Sequence, residues 1–510
     1  MEGESSTILT VLGLAVCLVL GMAVLGWLAL TVKILRTHRK YNHLPGPKLP
    51  SFYMGHIRTI RTAIATKKLM LGDLFVQWSN EFGPVIVLYF LSRATVVVTS
   101  AEGVKELLVS SKHPKDPQTY DNVAKIFGER FMGTGMVSEQ NHSIWAIKRS
   151  IIDPAFHRKY LKQSMVQFNR SAEHMVERMM RNADGVSEVI MQDELNKVTL
   201  DVIAKVSFSH ELDIMTDGLS PFTDAVRVTI EALGGLNQLI YYKYSPLKQH
   251  REYRNKVHNA CRLLRRFGEE CVRERLEAIR EGREVPADTL TFILNATDQL
   301  THPNYGMVDM VDDFVTMFVA GQETTANLLT SCLLELLSNQ PEVVYRMRNE
   351  MESVMGDKTS VSFEDLPKLE YTTAVLKEAL RLFPPAGGTV RETAEETYIN
   401  GCRIPANSSC IVSIYAIGRK ESYFKNPSAF DPDHFMKNDE HVLFSYLPFS
   451  LGPRICLGKN FAMIEAKVLL CKLLMTFDMS LVPGQSLDMM VSGTIRPKDG
   501  CKVTLKERSV

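Results

Sequence analysis

The chain has no CxxC pair anywhere in its 510 residues, and its 9 cysteines lie scattered from Cys17 to Cys501. A disulfide framework needs a short, cysteine-dense chain, and a zinc site needs clustered ligands. Neither pattern is present, so the cysteines read as mostly buried, reduced thiols, and any special one must be found by its surroundings. Excess charge is missing too. Lys and Arg number 59 against 58 Asp and Glu, and the resulting net charge of +1 does not favour nucleic acid as a partner. Internal repeats and low-complexity tracts are absent, and no stretch after residue 50 reads as a linker. What is there is a globular balance, 45% apolar and 23% charged, with ample material for a core.

Charge is also absent between Glu4 and Lys33, across "SSTILTVLGLAVCLVLGMAVLGWLALTV". About 20 apolar residues span a bilayer core. A cleaved signal peptide has a shorter apolar region and carries its positive charge in front. Here Glu2 and Glu4 precede the run, while Lys33, Arg36, Arg39 and Lys40 follow it. The expectation is a single-pass membrane anchor at 1–35, with everything after Lys33 in the cytosol. A basic, proline-rich elbow follows at 36–50, because "HLPGPKLPSF" cannot continue a helix. Residues 51–510 read as one large domain, mostly α with small β-sheets. "GPVIVLYF" and "ATVVVTS" are β-branched runs that read as a hairpin, and the pattern from Ser100 to Phe383 is predominantly helical.

The longest helical pattern runs from Asp309 to Gln340 and is apolar nearly all round. It predicts a buried central helix roughly 48 Å long at 1.5 Å per residue. "AGQETTAN" inside it is out of character. Gly321 costs about 1 kcal/mol in a helix interior, and Glu323, Thr324 and Thr325 are polar where the pattern asks for core. Either side-chain groups replace broken backbone bonds, or the helix opens there to admit a ligand or water.

The other unusual stretch is "FSLGPRICLGKNFAMIEAK". Gly452 and Gly458 permit positive φ or close approach of another body, Pro453 stiffens the turn, and an amphipathic helix should follow. Cys456 then sits just before a helix N-terminus, where the dipole and free N–H groups stabilise a thiolate. A buried structural cysteine is the plain alternative. A lone thiolate with no nearby His or second Cys does not suit zinc. It suits a metal held mainly by something else, and haem iron brings four nitrogens of its own.

With Phe449, Gly452, Arg454, Cys456 and Gly458 at these offsets, the loop resembles the signature of the haem-thiolate monooxygenases, the cytochrome P-450 family. "AGQETT" is similar to that family's oxygen-activating stretch. "EALR", with Glu378 and Arg381, looks like its buried proximal ion pair. "FDPDHF" matches its meander, although His434 stands where many members have Arg. The "LPGP" elbow and the anchor resemble the microsomal members. The resemblance implies the cytochrome P-450 fold, with haem b between the central helix and the cysteine loop. It implies Cys456 as the axial ligand of the haem iron, with Phe449 beside it. Trp145, Arg149, Arg391 and Arg454 would serve the haem carboxylates, with plain core for Trp145 and plain surface for Arg149 as alternatives. Glu323 and Thr324 would deliver protons, and their presence argues against non-oxygenating members. Electrons would come from NADPH through a flavoprotein reductase at the endoplasmic reticulum membrane. Lys148, Arg158, Lys159 and Lys459 are candidates for the face on which that partner docks.

Within the family the likeness extends toward the cholesterol 24-hydroxylases, through "FGERFMGTGMVSE", "GREVPADTLTFIL", "RLFPPAGGT" and "LVPGQ". It implies side-chain hydroxylation of cholesterol or a related sterol. The expected pocket walls are Ile126, Phe127, Phe131 and Met132, then Ala320 and Thr324, then Ala386, Gly387 and Gly388, with Thr494 reaching inward near the C-terminus. Plain core would explain each of these equally. The vertebrate members of that branch carry Trp where this chain has Gly387. Losing that ring would widen a pocket by about 100 Å³ or more, on the scale of the few hundred that a small-molecule site encloses. The same chemistry on fatty acids or xenobiotics therefore stands as an alternative. A catalytically silent haem sensor or lipid carrier is the remote one, disfavoured by the intact Glu323–Thr324 pair.

Overall fold

The computed structural model describes residues 2–110, 113–212, 220–234, 242–299, 305–436 and 443–508. Helix α1 (Glu2–Tyr41) is unbroken, so the basic part of the expected elbow is still helical. Its segment Val11–Tyr41 is long and apolar enough to cross a membrane. From Val11 to Leu30 it is exposed, but Ile34 is fully buried and Tyr41 nearly so. The prolines stop the helix as expected. The following segment is then fastened to the body: Val87 N–H donates to Pro45 O at 2.9 Å and His56 N–H to Tyr89 O at 2.8 Å.

The strand that receives this segment is β1 (Val85–Phe90), paired antiparallel with β2 (Arg93–Val98), as the two β-branched runs predict. After helices α2 (His142–Ile152) and α3 (Arg158–Met180) come β3 (Asp184–Ile190) and α4 (Met191–Phe208). The long helices α5 (Lys248–Arg280) and α6 (Met307–Asn339) follow, then α7 (Glu370–Leu382). Strands β4 (Thr389–Glu392) and β5 (Ser409–Val412) complete a four-stranded sheet in the order β1-β2-β5-β4, with β2 and β5 parallel. Helix α8 (Lys459–Thr476) leads into β6 (Phe477–Leu481), the hairpin β7 (Met489–Ser492) and β8 (Thr494–Pro497), and β9 (Lys502–Glu507). Strand β9 lies between β6 and β3.

Helix α6 is the central buried helix that its apolar pattern predicts. It is neither opened nor broken at Gly321, where both expected readings placed a disturbance. The glycine has a packing reason instead: a Cβ there would come within 2.6 Å of Ile203 Cδ1 on α4. Two helices cross too closely for a side chain, and that offsets the propensity cost. The other revision is α8. Its buried residues, Phe461, Ile464, Glu465, Ala466, Val468 through Cys471, Leu473 and Leu474, surround most of the helix, so it is not amphipathic. Sequence patterning saw a polar face because Glu465 is acidic, yet Glu465 is 1% exposed.

Candidate functional site

The cysteine loop leads directly into α8, and its tightness has a visible cause. Gly452 has φ +72°, and a Cβ on it would lie 2.0 Å from Leu108 O, so the loop rests directly on another backbone. Within the loop Cys456 N–H donates to Phe449 O at 2.8 Å and Ile455 N–H to Gly452 O at 3.0 Å. The Cys456 side chain is accessible, yet protein encloses it on almost every side. Together these describe a thiol facing an internal cleft rather than bulk water. Burial dominates its electrostatics and pushes the pKa up, while the Gly458 N–H, Arg149 and Lys459 pull the other way. The helix-terminus stabilisation expected from sequence is present, but smaller than the desolvation it opposes. Phe449 is partly buried against the main core.

Beside this loop three cations gather. Arg454 Nη1 donates to Glu139 O at 2.8 Å, and its guanidinium lies 4.1 Å from the Trp145 ring centre. Arg391 on β4 is 3% exposed and donates to Thr389 Oγ1 at 3.0 Å and Val390 O at 3.1 Å. The third is Lys115, 8% exposed, which donates to Val137 O and pairs by backbone with Arg391. Burial, then the charge of Arg391, lowers Arg454 to about 10. Lys115 is pushed well below its ordinary value by burial, Arg454 and Arg391. Among the described residues, Glu139 is the carboxylate that favours the charges of Lys115 and Arg454; the hydrogen-bond acceptors of all three cations given above are neutral oxygens. Buried cations held together with so little negative charge suit an anionic ligand. The two carboxylates of haem, next to an accessible thiol, meet that description. Trp145 is buried on α2 within this group. Arg149, four residues on, bonds Ile455 O at 2.8 Å and Asp153 at 3.2 Å, which sets it against the cysteine loop itself. Sequence reasoning missed Lys115, since "HPKDP" reads as a surface turn.

On α6, Thr324 Oγ1 donates to Ala320 O at 2.9 Å, leaving its lone pairs available. Glu323 is 5% exposed, and burial raises its pKa, so it tends to the neutral acid. Its Oε1 accepts from Thr494 Oγ1 at 3.0 Å and from Asn327 Nδ2 at 3.2 Å. Thr494 thus reaches inward as expected and meets the acid. Among the expected walls, Ile126, Phe127, Phe131 and Met132 are buried, Ala320 and Gly387 are half-buried, and Ala386 and Gly388 are exposed. Beside Gly387 a Cβ would meet Ile495 Cδ1 at 3.2 Å and no other atom of the described residues within 4 Å, its chain neighbours aside.

The loop carrying the first of those walls is pinned to α6 by two buried aspartates. Asp312 receives Thr134 N–H at 2.7 Å and Arg265 Nη1 at 2.6 Å, and also pairs with Arg130. Asp313 receives Met136 N–H at 2.8 Å and faces Lys148 Nζ at 3.2 Å. Lys148 is therefore 3% exposed and unavailable to a docking partner, which corrects that expectation. Arg158, Lys159 and Lys459 are exposed.

The proximal pair also takes a fuller form than sequence gave it. Arg381 Nη2 meets Glu378 Oε1 at 2.6 Å with both side chains wholly buried, and the guanidinium also serves the carbonyls of Gly418, Pro427 and Ala429. His434 Nδ1 lies 3.1 Å from Glu378 Oε1, and its Nε2 lies 2.7 Å from Lys425 O.

A sequence model described as Cytochrome P450 matches residues 44–505. A chloroplastic carotene epsilon-monooxygenase of Arabidopsis thaliana is 29% identical, over 86% of this chain and 83% of that protein. Cytochrome P450 4d2 of Drosophila melanogaster is 27% identical, over 91% and 94%. Cytochrome P450 4A10 of Mus musculus is 28% identical, over 82% of each. These relatives lend no support to the narrower likeness to cholesterol 24-hydroxylases.

Proposed function

Since the chain belongs to the cytochrome P450 family and is a haem-thiolate monooxygenase, we propose that it hydroxylates an unactivated carbon of an extended apolar lipid. Fatty acids and other open-chain compounds come first, and the cholesterol side chain second. What supports this reading is the composition of the expected pocket walls. Ala320, Ala386, Gly387 and Gly388 are small and uncharged, and the aromatic and aliphatic walls Ile126, Phe127, Phe131 and Met132 are buried. Such a surface favours hydrocarbon over polar substrates. That one relative is named for carotene, a long hydrocarbon, agrees with it. The second reading keeps its place because Gly387 leaves room beside Ile495 that a rigid ring system would use.

The family uses haem b and takes electrons from NADPH through a reductase. When bound, haem supplies the oxygen activation that inserts one atom of O2 into a C–H bond. In this reading Cys456 is its protein ligand, Phe449 packs beside the sulfur, and Arg391, Arg454, Trp145, Lys115 and Arg149 hold its acidic edge or brace the loop beneath it. Thr324 accepts a hydrogen bond at Oγ1, and Glu323 keeps a proton available. The N-terminal helix anchors the protein in the endoplasmic reticulum membrane with the body in the cytosol. Arg158, Lys159 and Lys459 belong to the face that meets the flavoprotein reductase.

The test is product analysis by mass spectrometry. Purified holoenzyme, reductase and NADPH are given palmitic acid and cholesterol in separate reactions, with Cys456→Ala as control. A hydroxylated fatty acid absent from the control is the expected result. An oxysterol with no fatty-acid product would overturn the first reading in favour of the second.

A further inference from the structure

Among the described residues, no cation is in hydrogen-bond or ion-pair contact with Glu323. Its protein partners are a hydroxyl and an amide, contributed by different parts of the fold. Thr494 Oγ1, the first residue of β8, donates to Oε1 at 3.0 Å. Asn327, one turn along α6 and fully buried, donates from Nδ2 to the same oxygen at 3.2 Å and to Thr494 Oγ1 at 2.9 Å. Asn327 is itself fixed from α4, where Gln192 Nε2 donates to its Oδ1 at 2.9 Å. Gln192 is 4% exposed. The carboxyl is thus gripped at one oxygen by a neutral clamp drawn from α6, β8 and α4.

The neutrality of the clamp matters. A cation in contact would stabilise the carboxylate and draw the proton off. The charged groups that act on Glu323 are Arg496 and Glu231, which pair with each other at 3.4 Å and oppose one another in effect. Burial outweighs both and favours the neutral acid. Both donors converge on Oε1, so in the neutral acid the hydroxyl proton belongs on Oε2.

We propose that Thr494 is a positioning residue for proton transfer: with Asn327 it fixes Glu323 through Oε1, so that the proton is carried and released at Oε2. This rests on the reading of Glu323 as the proton donor. Thr494 would touch neither oxygen nor substrate in that role. Its contribution is the orientation of the acid and the choice of which oxygen carries hydrogen.

The experiment measures NADPH oxidation by holoenzyme and reductase without added substrate, in H2O and D2O, together with peroxide released. Release of H2O2 consumes two electrons and two protons per O2, and reduction to water consumes four of each, all electrons coming from NADPH. Both branches therefore report on proton supply. The variants are Glu323→Gln, Thr494→Val and Thr494→Ser, each first shown to give the wild-type carbon-monoxide difference spectrum. Thr494→Val is expected to slow oxidation about fivefold, the factor for one ordinary hydrogen bond, and to raise the solvent isotope effect toward that of Glu323→Gln. Thr494→Ser should restore both. If Glu323→Gln changes the isotope effect and Thr494→Val does not, the positioning role is wrong while the acid's role stands. If neither variant changes it, the reading of Glu323 as donor fails as well. Should Thr494→Val lose its haem, Asn327→Leu replaces it, with the same outcomes.

Discussion

His434 meets an acceptor at each ring nitrogen, the Glu378 carboxylate on one side and the Lys425 carbonyl on the other. The ring thus bridges two oxygens to which an arginine in its place could also donate. His434→Arg should therefore retain the stability of the wild type. His434→Leu should lose about 1–3 kcal/mol, because Glu378 is left short of a donor. Thermal denaturation of the holoenzyme separates the two. A second residue-scale expectation concerns Glu465, which is 1% exposed on α8, with the Thr325 hydroxyl pulling against its desolvation. Burial holds its pKa well above the usual carboxylate value. The stability linked to this raised pKa is fully present below about pH 4.5, the unfolded value, and is lost as pH rises toward the folded one. Glu465→Gln should remove that loss, making the variant the more stable form at pH 8 by at least about 1 kcal/mol. Urea denaturation at pH 5 and pH 8 checks it. The thiol loop and the Glu378–Arg381 pair were legible in sequence because their residues lie within one loop or one helical turn. Lys115 and Asn327 were not. Each acquires its partners only when distant segments meet, Lys115 beside Arg391 and Arg454, Asn327 beside Thr494 and Gln192.

At the scale of elements, the periodic pattern located α6 to within two residues at its start, and the β-branched runs located β1 and β2. Patterning failed on the meaning of Gly321, since a sequence carries the local cost of a glycine but not the helix that crosses it. Gly321→Ala gains about 1 kcal/mol of helix propensity yet drives a methyl into Ile203. Overpacking of this kind costs typically about 1–3 kcal/mol, so a net loss is expected, and Ile203→Val in the same chain should recover part of it. Denaturation midpoints of the single and double variants decide this. The Asp312 anchorage calls for a larger effect. Asp312→Ala strands Arg130 and Arg265 and frees the loop that carries Phe131 and Met132. A cost of about 2–3 kcal/mol follows from the lost charge-assisted hydrogen bonds, the two arginines being partly exposed. Limited proteolysis should then cut within 127–139, which the wild type resists.

For the whole molecule, composition gave the class correctly, a mostly helical fold with small sheets, and an apolar helix stands at the N-terminus. It gave the join between them less well. Proline and glycine at 45–47 read as an elbow, but Gly46 lies so close to β1 that a Cβ would stand 2.6 Å from Val87 O. On the helix side, Lys40 Nζ donates to Ala406 O at 2.7 Å and Tyr41 Oη lies 2.9 Å from Ser408 Oγ. Removing residues 2–30 should leave the melting temperature of the body unchanged, since residues 11–30 are exposed. Removing residues 2–43 should lower it, because Ile34 and Tyr41 fill core positions. Calorimetry on the two truncated proteins tests the contrast.

This join sets how the enzyme stands on its bilayer. A flexible leash would let the body roll and sample every heading, whereas a helix that runs from lipid into packed protein works as a mast. Whatever tilts the mast turns the deck with it. A thicker bilayer draws the helix upright, a thinner one lays it over, and the body tips toward or away from the lipid accordingly. Membrane thickness thereby becomes a variable in the heading of the whole body, acting through the pitch of a single helix.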